Sequence, residues 1–198
     1  MYKLIGSPRT RAFRVMWAFE ELGLSYELDP AGPGSAAVTG LHPSAKVPVL
    51  IANGTTLIDS TAIMTYLADR HGGLTHTPGT LQRAQQDALT HFVLDEIDSV
   101  LWTISRHTFI LPAEHRVPDV IQTCAWEITR SLDRLSAQFS GPFLTGDTMT
   151  IADIIAVHCL GWAHMLKIPI ESAALKAYSK DLRKRDAYKA AQARAISA

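Results

Sequence analysis

Two short segments hold the residue types that binding chemistry needs. The first is Lys46-Val47-Pro48-Val49-Leu50; the second, beyond an Asn53-Gly54 dipeptide, is Asp59-Ser60-Thr61-Ala62-Ile63. Proline donates no backbone hydrogen bond, so within an apolar run it belongs at an edge, a bulge or a strand start. An X-Pro bond is also where a cis peptide is accessible, and a cis bond here turns the preceding N–H and C=O outward. Asp59-Ser60 stands where a helix begins, and a helix start holds unpaired N–H groups and partial positive charge. Together they predict a docking edge beside a helix N-terminus. Such an edge suits an extended, peptide-like ligand that carries its own carboxylate and ammonium. The competing reading of Asp59 or Ser60 is a plain helix cap, and that of Lys46 a solvated surface lysine.

The surrounding pattern supplies the elements that must position these residues. Tyr2 to Gly6 is a short apolar strand, and Arg11 to Leu22 has the apolar spacing of a helix closed by Gly23. Leu24, Tyr26 and Leu28 alternate as a second strand, and Pro30 to Gly40 is a loop. Val47 to Ala52 and Thr55 to Ile58 flank Asn53-Gly54, a hairpin signal. Ser60 to Arg70 is a helix stopped by Gly72-Gly73. Residues 75–81, with Pro78-Gly79, form a linker between a domain at 1–74 and one at 82–198.

Beyond the linker strand signals vanish. Leu81 to His107 is a long helix, and a second helix runs from Val120 to Phe139, with Gly141-Pro142 after it. Thr150-Ile151-Ala152-Asp153 has the form of a capping box with Met149 and Ile154 as its hydrophobic staple. Lys180 to Lys189 is a basic, solvated helix face. Spacing alone therefore predicts an α/β domain followed by an all-α one.

Composition removes several functional classes. Lys plus Arg and Asp plus Glu each number 19 in 198 residues, so the net charge is zero. Nothing then pulls on a phosphate backbone at long range, which argues against nucleic acid as partner. Cys124 and Cys159 fall in helical patterns and are expected as buried thiols. No histidine or cysteine spacing suits a metal, and His91 beside Phe92 is a packing or surface residue. The most apolar stretch, Ile151 to Ile170, is interrupted by Asp153, His158, His164 and Lys167, and Met1-Tyr2-Lys3 leads directly into a strand. A cytoplasmic protein with no membrane span is expected.

Three segments taken together resemble the soluble glutathione transferase family. They are Thr10-Arg11-Ala12-Phe13-Arg14-Val15-Met16-Trp17 with Glu20-Glu21-Leu22-Gly23-Leu24; His42 to Leu50 with Asp59 to Ile63; and Phe143-Leu144-Thr145-Gly146-Asp147 with Thr150 to Ile154. The first resembles bacterial and fungal members with a Ser/Thr-Arg-x-x-Arg motif. The resemblance implies a thioredoxin-like N-terminal domain, a helical C-terminal domain and a homodimer. It implies glutathione as co-substrate, a small electrophile as second substrate, and a role in detoxification.

The resemblance also implies roles. Ser60 would bind the γ-glutamyl carboxylate and Asp59 the ammonium, although the family more often has Glu at that position. Val47, before a cis Pro48, would exchange backbone hydrogen bonds with the cysteinyl unit, and Lys46 would neutralise the glycyl carboxylate. A thiol near its ordinary value of about 8.5 is mostly protonated at pH 7, so catalysis needs a group that favours the thiolate. No tyrosine or cysteine occupies the turn after the first strand, and aligning Arg14-Val15 puts Arg9 at the usual serine position. Thr10 is the preferred hydroxyl donor and Ser7 the second, with Arg9 and Arg11 as electrostatic support; for Thr10 the alternative is a helix cap. Trp102, His107 and Phe109 are candidates for an electrophile pocket between the domains, with core packing as the alternative for each. The same thiolate would serve a peroxidase or an isomerase, and the fold would also serve a non-catalytic glutathione-binding interaction protein.

Overall fold

The computed structural model describes residues 1–197, which divide into two compact units: 1–78 with 183–197, and 79–182. The first unit is built on a sheet of order β2-β1-β3-β4, with β1 Tyr2–Ile5, β2 Glu27–Asp29, β3 Val49–Ala52 and β4 Thr55–Ile58. β1 runs parallel to β2 and antiparallel to β3, which is antiparallel to β4. The helix α1, Ala12–Glu21, is the crossover that a parallel β1–β2 pair requires.

Local chemistry accounts for these boundaries. α1 ends in a Schellman motif: Gly23 has φ +63°, its N–H bonds the Glu20 carbonyl at 3.2 Å, and the Leu24 N–H bonds the Phe19 carbonyl at 2.9 Å. Leu24 and Tyr26 are thereby kept out of the strand predicted for them. Tyr26 stacks on Phe19 at 4.4 Å instead, and β2 begins only at Glu27. Asn53 and Gly54 take φ +50° and +82°, as a tight hairpin turn between β3 and β4 demands. One turn of helix, α2 (Ala36–Thr39), interrupts the loop expected at 30–40; its Val38 closes a cluster with Ile5 and Val49. α3 spans Ser60–His71, with Gly72 as its left-handed C-cap.

The second unit is helical throughout. Its first helix reaches beyond the predicted His107 to Ile110, as α4 (Leu81–Val93), a π-turn at Leu94–Asp98, α5 (Ser99–Ser105) and a second π-turn at Arg106–Ile110. The hydroxyls of Ser99, Thr103 and Thr108 donate to carbonyls four residues back, a competition that disturbs regular helical bonding. α6 (Asp119–Gln138), α7 (Ile151–Met165) and α8 (Ala173–Leu182) complete it. Val93, Ile97, Leu101, Ile128, Leu132, Ile155 and Leu175 are all buried. Cys124 and Cys159 are buried thiols.

The chain end departs from the sequence reading. The basic stretch is not one solvated face: the helix breaks at residues 183–185, and α9 (Asp186–Ser197) joins the first unit. Arg185 makes a bidentate pair with Glu21 at 2.6 and 2.7 Å. The division at 82–198 therefore places in the helical part a segment that groups with the sheet, because its partners lie some 160 positions away. Among the described residues no helix is long and apolar enough to cross a membrane.

Candidate functional site

Strand register brings the predicted ligand-binding segments to one end of the sheet. Ile5 of β1 pairs with Val49 of β3, which pairs with Ile58 of β4. Gly6-Ser7 follow Ile5, Val47-Pro48 precede Val49, and Asp59-Ser60 follow Ile58. At about 4.8 Å per strand spacing the three segments cover roughly 10 Å. Three extended residues span roughly 10–11 Å.

Gly6, which the sequence reading did not single out, makes this proximity possible. A Cβ there would lie 2.6 Å from Ala12 Cβ, 3.3 Å from Val47 Cβ and 3.4 Å from Pro48 Cα. Only a glycine lets the end of β1 lie against both α1 and the Val47-Pro48 segment. Its signal was there to be read, as a glycine ending an apolar strand directly before Ser7-Pro8.

The Val47-Pro48 bond is cis, and Pro48 is buried. The N–H and C=O of Val47 have no hydrogen-bond partner among the described residues. Lys46 is exposed on the preceding turn, where Ala45 has φ +50° and its carbonyl accepts the Gly34 N–H at 2.8 Å.

Asp59 has φ +70°, a conformation that costs a non-glycine residue of order 1–3 kcal/mol and tends to collect at functional sites. Its Oδ1 accepts the N–H groups of Thr61 at 2.8 Å and Ala62 at 3.0 Å, and its carbonyl accepts the Ile63 N–H at 2.9 Å. Asp59 is therefore the N-cap of α3. Both cap bonds use one carboxylate oxygen. The first N–H of the helix, that of Ser60, has no partner among the described residues, and Ser60 is 3 % exposed. The arrangement leaves a hydroxyl, an N–H and one carboxylate oxygen together at the helix start.

The turn after β1 separates the candidate hydroxyls. Thr10 Oγ1 donates to the Ser7 carbonyl at 2.6 Å and accepts the Ala12 N–H at 3.2 Å. Its one proton is committed within the turn, as in the capping alternative. Ser7 is half-buried; its Oγ accepts the Arg9 N–H at 3.4 Å, and its own proton has no acceptor among the described residues. Arg9 is exposed, and Arg11 stands half-buried at the start of α1.

The candidates for the electrophile pocket all lie in the second unit. Trp102 on α5 is half-buried and meets Trp162 of α7 edge-on at 6.5 Å; Trp162 donates to Ser105 Oγ at 3.0 Å. His107 Nδ1 accepts the Val117 N–H at 3.0 Å, so it ties a loop. Phe109 is 53 % exposed in the second π-turn.

Comparison with known proteins agrees with this architecture. The model of the glutathione S-transferase N-terminal domain matches residues 2–75, and that of the C-terminal domain matches residues 103–186. Elongation factor 1-gamma of Trypanosoma cruzi is 30 % identical over 144 residues, 69 % of this chain and 32 % of the relative. Glutathione S-transferase 3 of Schizosaccharomyces pombe is 34 % identical over 67 residues, 32 % of this chain and 28 % of the relative. The match thus spans under a third of the length of either curated relative. Among solved structures, a glutathione transferase of Methylococcus capsulatus superposes over 100 % of both chains with TM-score 0.86 and 24 % identity. A glutathione transferase of Phanerochaete chrysosporium, solved with oxidised glutathione, covers 99 % of this chain and 95 % of its own with TM-score 0.83 and 22 % identity.

Proposed function

The chain belongs to the glutathione S-transferase family, both of whose domain models it matches in order, and on that premise we propose that it binds reduced glutathione and ionises its thiol for attack on a small electrophile. The observation that carries the reading is the register that aligns Ser7, Val47-Pro48 and Asp59-Ser60 along one sheet end. Each part of the tripeptide then has a chemically matched partner. The γ-glutamyl carboxylate takes the Ser60 N–H and hydroxyl, a charge-assisted contact at a helix start. The ammonium takes the second oxygen of Asp59. The cysteinyl backbone takes the Val47 N–H and C=O, and Lys46 faces the glycyl carboxylate.

Ser7 is the hydroxyl we assign to the sulfur. It donates to the thiolate and so favours it over the thiol, while Thr10 holds the turn and Arg9 and Arg11 add positive charge beside it. Trp102, with Phe109 and His107 further along the same helix of the second unit, is the part of the proposal that concerns the electrophile. Homodimerisation, a cytoplasmic location, a part in detoxification and a place in the bacterial and fungal branch belong to the same proposal.

Thermal unfolding with reduced glutathione, against free glutamate plus glycine, tests the binding step. Ligand at about a hundred times its Kd adds roughly 2.7 kcal/mol to the folded state, which for a chain of this size raises Tm by roughly 5–10 °C. A rise with the control mixture too, or none with glutathione at millimolar concentration, rejects the site. Aryl halide and hydroperoxide turnover then separates conjugation from peroxide reduction.

A second reading is favoured by one observation, the similarity to an elongation factor 1-gamma over 69 % of the chain. In that reading the fold is an interaction module. It predicts glutathione binding without thiolate absorbance near 240 nm, or no binding at all.

A further inference from the structure

We propose that Tyr188, on the C-terminal helix α9, is a positioning residue for the thiol-binding turn; the proposal rests on the reading of Ser7 given above. The Tyr188 ring meets Phe13 edge-to-face at 5.3 Å and Trp17 at 4.9 Å. Phe13 and Trp17 are one helical turn apart, so a single ring braces the first two turns of α1. The Phe13 N–H bonds the Thr10 carbonyl at 3.1 Å, and the Thr10 hydroxyl bonds the Ser7 carbonyl at 2.6 Å. From Tyr188 to Ser7 there is therefore an unbroken series of one ring contact and two hydrogen bonds.

The other end of α1 is held as firmly. Glu21, with a side chain 7 % exposed, accepts Trp17 Nε1 at 2.9 Å and both Arg185 bonds. Glu20 pairs with Arg194 at 2.9 Å, and the Arg194 guanidinium lies 4.7 Å over the Tyr26 ring. α1 cannot slide along its axis without breaking these pairs, and it cannot tilt at its N-terminus without displacing Tyr188. Removing the ring frees only the end that carries the thiol turn. Among the described residues no side chain fixes the Ser7 hydroxyl, so its aim depends on where that turn lies.

The test compares Tyr188→Ala, Tyr188→Leu and Tyr188→Phe in the full-length protein. Two readouts are used: the apparent pKa of the bound glutathione thiol, from pH-dependent thiolate absorbance and from kcat, and hydrogen exchange of residues 6–14 without ligand. Tyr188→Ala is expected to raise the thiol pKa by about one unit, which is about tenfold less thiolate below both values. KM for glutathione should stay within about twofold, since Asp59, Ser60 and Val47 lie on other elements. Exchange at 6–14 should speed by more than at β3 and β4. Tyr188→Phe should behave as the wild type, because the edge contacts need the ring and not the hydroxyl; Tyr188→Leu serves if the alanine variant does not fold. The proposal is overturned if Tm falls while the thiol pKa and the relative exchange at 6–14 stay put, because Tyr188 would then only support stability. If the wild type binds no glutathione, the assignment of the site fails, and the exchange comparison alone decides whether Tyr188 fixes the turn.

Discussion

At the scale of single residues, hydrogen-bond direction is the discriminating observation. Two hydroxyls stand in the turn after β1, and Thr10 spends its proton on the Ser7 carbonyl. Ser7→Ala should therefore raise the bound thiol pKa by about 1–2 units, the worth of one hydrogen bond to a charged group. Thr10→Val should cost about 1 kcal/mol of stability, as loss of a cap does, and move the pH–rate profile less than Ser7→Ala does, because the Thr10 N–H still bonds the Ser7 carbonyl at 3.0 Å. A profile that moves for Thr10→Val and not for Ser7→Ala reverses the assignment. Asp59 needs a substitution that separates its two roles. Asn keeps a cap oxygen and tolerates positive φ, so Asp59→Asn removes charge alone. It should raise KM for glutathione about tenfold, near 1.4 kcal/mol, with kcat and Tm almost unchanged. An unaltered KM would show that Asp59 is a cap and nothing more.

At the scale of elements, the start of α7 depends on one buried carboxylate. Asp153 accepts the Leu144 and Thr150 N–H groups and the Tyr178 hydroxyl, each at 2.8 Å, and the Thr150 hydroxyl at 3.2 Å. Burial pushes its pKa above the ordinary carboxyl value, and these hydrogen bonds pull it back down. Burial, with the Asp153 charge beside it, likewise raises the Tyr178 phenol. Asp153→Asn would set an NH2 group against donors and should cost about 2–3 kcal/mol in chemical denaturation. The pH dependence has a definite sign. With the folded pKa raised, the unfolded chain gives up this proton first, so ionisation works against folding. The contribution of Asp153 is full below its unfolded value of about 3.9 and declines as pH rises through the folded value. The stability gap between wild type and Asp153→Asn should narrow over that window; a gap that widens contradicts the raised value.

At the scale of the molecule, the final helix belongs with the sheet. A chain ending at Leu182 loses Tyr188, the buried Ala191 and the ion pairs of Arg185 and Arg194, exposing Phe13 and Trp17. The loss of ring packing alone is worth roughly 3 kcal/mol or more, and the partly buried Glu20 and Glu21 carboxylates also lose their arginine partners. Limited proteolysis should then cut within β1–α1 at denaturant concentrations where the intact chain resists. Equal resistance of the two chains would mean that α9 adds nothing to the stability of that unit.

Much of the fold was legible because its signals are local. Asn53-Gly54 sets a hairpin turn, Gly23 a helix end, and Thr150 with Asp153 a helix start, each through bonds that span only a few residues. The order of elements, and with it an α/β part followed by helices, follows from such signals. Contacts between distant segments were not legible. Tyr26 left its predicted strand to stack on Phe19, and α9 found its partners on α1. Gly6 is required by the closeness of Val47 and Ala12, which no local spacing expresses. The sequence by itself determined which polar residues stand beside strand ends and helix starts. Tertiary structure decided that three of those ends meet, because register is set by the pairing of β1, β3 and β4. It also decided where the Thr10 proton goes, because a hydroxyl donates to whichever acceptor the folded turn puts within reach.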